Sequence, residues 1–293
     1  GNGHIRNEGI LKLGMTDGNF KIDSLILTAQ KNELHLIRNG YQSLPYISFN
    51  KLNVLKCTGY GSYLINSSHS IETLIIENES NLTIKNPQTI NYFAIKNFSK
   101  LISKGSFKLD NIPNLDFETF SYLILENNQT FLNPIQIGHI EIESDITLTA
   151  NDSLYVSGDF TGNGKLTGSL IVEYNGVRRQ TIKELDYETL VYNNSSPDSS
   201  ILYGSNKIEK LSIKKGDLKL GSHSINKCEI YEESAIIIGG HSPVFKDTLK
   251  ISGKFLINSS NAIPDFYFIY ISPTGIFQNK SPADITVDKG ITN

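Results

Sequence analysis

The sequence predicts an all-β chain folded as a right-handed parallel β-helix, a β-solenoid whose irregular coils run roughly 17–30 residues each. Three observations predict it. Met occurs once and Trp not at all, while β-branched residues, Asn, Ser and Gly abound, which is poor helix material and good strand-and-turn material. A short apolar pattern recurs along the chain. A turn-forming residue commonly follows each copy.

Written with Φ for an apolar residue, the pattern is Φ-x-x-Φ-x-Φ-x-turn. Ile71, Leu74, Ile76 and Asn78 fit it, as do Ile90, Phe93, Ile95 and Asn97, and Phe120, Leu123, Leu125 and Asn127. Further copies are Tyr187/Leu190/Tyr192/Asn194 and Ile208/Leu211/Ile213/Lys215. Looser ones are Ile22/Leu25/Leu27, Leu52/Leu55/Cys57, Ile137/Ile140/Ile142, Ile225/Cys228/Ile230 and Ile263/Phe266/Phe268. Residues two apart on a strand share a face, so Leu74 and Ile76 are expected to point inward while Thr73 and Ile75 point out. Asn at the strand end tolerates a left-handed corner, and its amide can bond the coils on either side. One coil cannot bury its own inner face; a stack can, so the pattern has to repeat. Cys57 and Cys228 fall on inward positions, where a free thiol behaves as a small apolar filler. A leucine-rich repeat has similar spacing, but it places Asn one position later and needs a helical or extended convex segment.

The 293 residues, with a net charge of −3 and a pI near 6.1, give no electrostatic reason to expect a nucleic-acid partner. No apolar run approaches the roughly 18 residues of a spanning helix, so direct membrane insertion is not expected. The opening Gly1-Asn2-Gly3 carries no initiator Met or leader, which reads as a mature form or an internal piece. Residues 1–293 are read as a single solenoid domain, a fragment of a longer secreted protein.

From Leu154 to Asn194 the chain carries Leu154, Val156, Gly158, Asp159 and Phe160, then Gly176, Gln180, Thr181 and Ile182, then Tyr187, Leu190, Asn193 and Asn194. This order resembles a module of large secreted proteins of the Bacteroidota that leave the cell by the type IX secretion route. The resemblance covers some forty residues. It implies a β-helix-like stalk in a surface or released protein, often an adhesin, hence an extracellular location. The partners it implies are glycans, host or substratum surfaces, or the secretion machinery. That bacterial group is associated with O-glycosylation at Asp-Ser/Thr before an apolar residue, which points to Ser24, Ser153 and Thr248.

No catalytic, cofactor-binding or metal residues are assigned. The best acidic cluster is Glu141, Glu143 and Asp145, expected to alternate along one strand and project from one face. Such a row can bind Ca²⁺ or act on a sugar; it can equally be a charged face that keeps a sheet soluble. The run Phe266–Ile271 places rings on both faces of a strand, with Tyr267 and Tyr270 as outward contact candidates. The six histidines are dispersed, with no metal-ligand spacing. Two functions follow. The first is a non-catalytic surface or adhesion segment. The second is a carbohydrate-active β-helix, a polysaccharide lyase or hydrolase or a glycan-binding module, which needs acids and a base converging from neighbouring coils. An ice-binding face would need rows of Thr-x-Thr, of which Thr147/Thr149 is the clear instance.

Overall fold

A computed structural model describes residues 4–7, 10–13, 24–27, 32–37, 39–43, 47–48, 52–65, 69–86, 88–105, 107–108, 115–168, 171–282 and 285–292. Among these every regular element is a strand. Among the described residues no helix is long and apolar enough to cross a membrane. The strands are parallel throughout and stack as a β-solenoid of about 12 turns. Register partners lie one coil apart along the chain, from 17 residues between Leu211 and Cys228 to 23 between Ile10 and Glu33. Two compact units are present: residues 1–151 with 162–167, and residues 152–161 with 168–293.

In the first unit one face stacks Ile10–Leu13, Glu33–Leu36, Leu52–Cys57, His69–Ile76 and Gln88–Ile95, with Leu115–Phe117 following. A second face stacks Tyr41–Ser43, Ser62–Ile65, Asn81–Ile84, Lys100–Ser103, Tyr122–Leu125 and His139–Ile142. Leu55, Leu74 and Phe93 form one buried column, and Cys57, Ile76 and Ile95 the next. Each fully buried Leu or Ile side chain contributes on the order of 1.5–3 kcal/mol, so a column gains with every added coil. Cys57 is a free, buried thiol in that column, as its inward position predicts.

The copy at Phe120/Leu123/Leu125 belongs elsewhere. Leu123 and Leu125 are buried on the second face, between Leu101 and Ile140 and between Ser103 and Ile142. The continuation of the first face is Leu115–Phe117, where Phe117 meets Phe93 edge-on at 5.3 Å. Both faces of a solenoid carry Φ-x-Φ, so sequence spacing alone does not separate them.

The corner between the two faces is built from left-handed backbone. Asn78 and Glu79 (both φ 57°), Asn97 (φ 51°) and Phe98 (φ 57°) occupy successive coils, preceded by Gly59 (φ 103°) and Tyr60 (φ 58°). Five of the six non-glycine residues with positive φ among the described residues therefore sit at this one corner. The first position takes Gly or Asn for good reason. A Cβ on Gly59 would lie 2.6 Å from the Ile37 carbonyl oxygen. Asn97 donates its amide to Asn78 Oδ1 (3.4 Å), and Asn78 donates to Thr58 Oγ1 (2.6 Å), the ladder expected of stacked corner asparagines. The second position is occupied by Tyr60, Glu79 and Phe98, side chains for which a left-handed backbone costs roughly 1–2 kcal/mol each. The third is small and buried: Gly61, Ser80, Ser99 and Ser121 pass the ladder on, each carbonyl accepting from the next coil.

In the second unit the stack runs Leu154–Val156, Val172–Tyr174, Tyr187–Asn193, Lys207–Leu220, Ser224–Ile230, Val244–Ile251 and Asp265–Ile271. The long strand Lys207–Leu220 serves two faces, its second half pairing with Ser200–Leu202 and Ser234–Ile238. It turns at Gly216 (φ 81°), where a Cβ would lie 2.3 Å from the Asn194 carbonyl oxygen. Tyr187, Leu190, Tyr192, Ile208, Leu211, Ile213, Ile225, Cys228 and Ile230 are buried, as the pattern predicts. From Ile225 onward β-bulges shift the register. The buried set on the last full coil is Phe266 and Ile269, while Ile263 is exposed and Phe268 half-buried. The spacing Ile263/Phe266/Phe268 is thus corrected to Phe266/Ile269/Ile271, in register with Phe245, Leu249 and Ile251; the bulge puts its extra residue in Val244–Ile251. Inside, Phe245 stacks on Phe266 (5.2 Å) and Phe255 on Phe277 (5.4 Å), and Phe245 meets Phe255 edge-on.

Candidate functional site

The acidic cluster is not one face of one strand. His139–Ile142 ends before Glu143, and Asp145 sits in a turn with φ 65°. Glu141 alone of the three projects from the strand, in an outward row with Ile124, Ile102, Thr83 and Leu64. Among the described residues no group of three or more His, Cys, Asp or Glu is placed to hold a metal ion.

Elsewhere several carboxylates are spent on neighbouring side chains. Lys56 pairs with Glu77 (2.6 Å), Lys104 with Glu126 (2.8 Å) and Lys250 with Glu229 (2.7 Å). Asn91 donates to Glu72 (3.0 Å), and Asn193 donates to Glu173 (2.9 Å), with Lys214 at 3.6 Å from the same carboxylate. Most of these partners stand one coil apart, so the acids tie coils together instead of converging on a point. The lysine pulls the Glu229 carboxyl below its usual value, with a further bond from the Tyr231 hydroxyl.

Tyr267 and Tyr270 are exposed on the outer side of Asp265–Ile271. Lys289 lies over the Tyr267 ring at 5.8 Å, and Tyr270 stands in register with Lys250. On the second face of the first unit Tyr122 stacks on His139 at 4.3 Å, and Lys100 caps the opposite side of this pair at 5.6 Å from the Tyr122 ring. The faces of Tyr122 are thereby occupied, and the pair presents edges to solvent. Thr130, Thr149 and Thr167 form an outward row, with 3.2 Å between the last two hydroxyls, but this row spans three coils only.

A shallow basin of about 240 Å³ lies over the bulge in the second unit, lined by Lys210, Leu211, Lys227, Cys228, Glu229, Thr248 and Lys250. Of its three lysines, Lys250 pairs with Glu229 inside the basin and Lys227 with Asp247 outside its lining, at 3.9 Å. Thr248, one of the O-glycosylation candidates, donates its hydroxyl to Asp247 (3.0 Å). Ser153 is buried and bonds Asp152 through both its N–H and its hydroxyl. Ser24 begins the strand Ser24–Leu27, and its side chain lies outside the described residues. The Cys228 thiol, like that of Cys57, is free, and burial drives its pKa far up.

The stretch that carries the family resemblance folds into a buried polar hub. Gln180 donates its amide to the carbonyls of Val156 and Gly158, and its Oε1 accepts from the Gly176 N–H (3.0 Å) and the Asn194 amide (2.7 Å). Asn194 also donates to the Arg178 carbonyl (2.7 Å), and its Oδ1 accepts the Ser196 N–H (2.6 Å). Asp159 accepts the Thr181 N–H, and Tyr187 donates to the Lys183 carbonyl while lying 3.2 Å from the Tyr174 hydroxyl. Burial, with Tyr174 alongside, pushes the Tyr187 hydroxyl well above its usual pKa. These residues satisfy one another. Their spacing encodes an irregular coil.

His223 is also buried and structural. Its Nδ1 accepts the Asn206 N–H (3.1 Å), leaving Nε2 to donate to the Leu202 carbonyl (3.0 Å), which requires the neutral ring. Burial lowers its pKa accordingly. Comparisons of the chain with protein-family models, curated proteins and solved structures found no match.

Proposed function

We propose that the chain is a non-catalytic segment of a secreted or cell-surface protein, a β-solenoid that presents ordered side-chain rows to surfaces, glycans or partner proteins. The observation that carries this reading is the use of the carboxylates: Glu77, Glu126, Glu173 and Glu229 each pair with Lys or Asn on the coil surface. Hydrolysis or elimination at a sugar needs an acid and a base aimed at one bond. Acids already engaged along the ladder are placed to hold coils together and to keep the exterior polar.

The test is a glycan array read beside a polysaccharide-degradation screen with the full chain. Binding to an array or to intact surfaces without product release supports the contact role. Release of reducing ends or unsaturated oligosaccharides from any polysaccharide overturns it and favours the carbohydrate-active alternative.

A further inference from the structure

The corner between the two main faces of the first unit places a side chain where the backbone favours none. Two consecutive left-handed residues are the geometry of a tight turn that prefers Asn or Gly followed by Gly. The chain follows that preference at the first position, with Gly59, Asn78 and Asn97, and departs from it at the second, with Tyr60, Glu79 and Phe98. The departures are large and displayed: Tyr60 is 65% exposed and Phe98 56%. Strain kept at a largely exposed position points to function.

The three residues stand on successive coils, since the Tyr60 N–H donates to the Asn78 carbonyl and the Glu79 N–H to the Asn97 carbonyl. Phe120, on the following coil, stacks on Phe98 with ring centres 5.0 Å apart and 12° between planes. One face of Phe98 is therefore covered, and the other is turned toward the coil of Glu79. Glu79 has no ion-pair partner among the described residues. Nearby acids are spoken for: Glu77 by Lys56, and Glu118 by the Asn97 N–H at 2.8 Å. The ridge thus reads ring, open carboxylate, ring.

We infer that Tyr60, Glu79 and Phe98 form a docking ridge for the guanidinium group of an arginine on a partner protein. An aromatic face attracts a cation, and a carboxylate beside it takes the fork of N–H donors; guanidinium satisfies both at once. This specifies the partner of the contact role proposed above and rests on that role. Polysaccharide turnover would remove the role, whereas failure of the ridge would leave other rows free to fill it.

The probe is a fluorescent peptide, acetyl-Gly-Arg-Gly-Arg-Gly amide, titrated into the full chain, with a citrulline peptide as the uncharged control and cellohexaose as a neutral sugar. The arginine peptide binds at least tenfold more tightly than the citrulline peptide. Glu79→Gln weakens it at least fivefold. The double substitution Tyr60→Gly and Phe98→Gly abolishes binding. Three results would each overturn the inference: no peptide binding, binding indifferent to Glu79→Gln and to the double substitution, or cellohexaose binding at the ridge in place of the peptide.

Discussion

Asparagine does two different jobs in the two units. At the corner of the first unit Asn78 and Asn97 form a solvent-exposed ladder, each amide reaching one neighbour. In the second unit Asn194 is fully buried and bonds Arg178, Gln180 and Ser196 at once. The same side chain is a backbone accommodation in one place and the centre of a closed network in the other. Water can replace what an exposed amide loses; nothing replaces what a buried one loses.

That contrast can be broken by substitution. Asn194→Ala strands the Ser196 N–H in the interior and removes a donor from the buried Gln180 Oε1, and should lower unfolding free energy by about 3 kcal/mol in urea denaturation. An effect below about 1 kcal/mol would show that water enters the hub and that burial is not what sets the two asparagines apart. His223 sharpens the same point through pH. Its folded pKa lies below the ordinary 6.5. The unfolded chain therefore binds more protons as pH falls through about 6.5, and the stabilisation, complete above that value, drains away toward lower pH. His223→Gln should flatten this part of the stability–pH curve, measured by thermal denaturation between pH 7.5 and 5. At the exposed ladder Asn97→Ala should cost about 1 kcal/mol, mostly because Ala lacks the polar side chain that eases left-handed backbone for Asn, while Asn97→Gly should fall within a few tenths of zero. Were Asn97→Gly to cost as much as Asn97→Ala, the amide bond to Asn78, and not the backbone, would be what the ladder contributes.

The stacking was legible in the sequence because its cause is local and periodic. Leu74 and Ile76, or Leu211 and Ile213, announce an inner face by spacing alone, and the inward thiols of Cys57 and Cys228 follow from it. What misled was whatever breaks the period. Val244–Ile251 carries one more residue between Phe245 and Leu249 than its neighbours carry between Ile225 and Cys228 or between Phe266 and Ile269, and Leu123 falls on a second face with the same alternation as the first. The acidic row was read as a strand because Glu141, Glu143 and Asp145 alternate, yet the strand ends at Ile142. The corner ridge was missed because the pattern was searched for inward residues. Its signal was present in Gly59-Tyr60 and Asn97-Phe98, a turn former followed by an exposed ring where a second glycine is the easier choice.

In-register stacking also dictates how such a chain can change length. Each coil touches only the coils before and after it, so stability accrues by neighbours. Asn78 and Asn97 are equivalent positions 19 residues apart. Excising residues 78–96 would join Glu77 to Asn97 and bring Leu101 to the place of Leu82, opposite Tyr63. Every column would close over the gap. Losing a single residue from His69–Ile76 would instead send Leu74 and its neighbours to the wrong side. A gene for this protein can be lengthened or shortened in whole windings, and its viable variants should differ by those quanta.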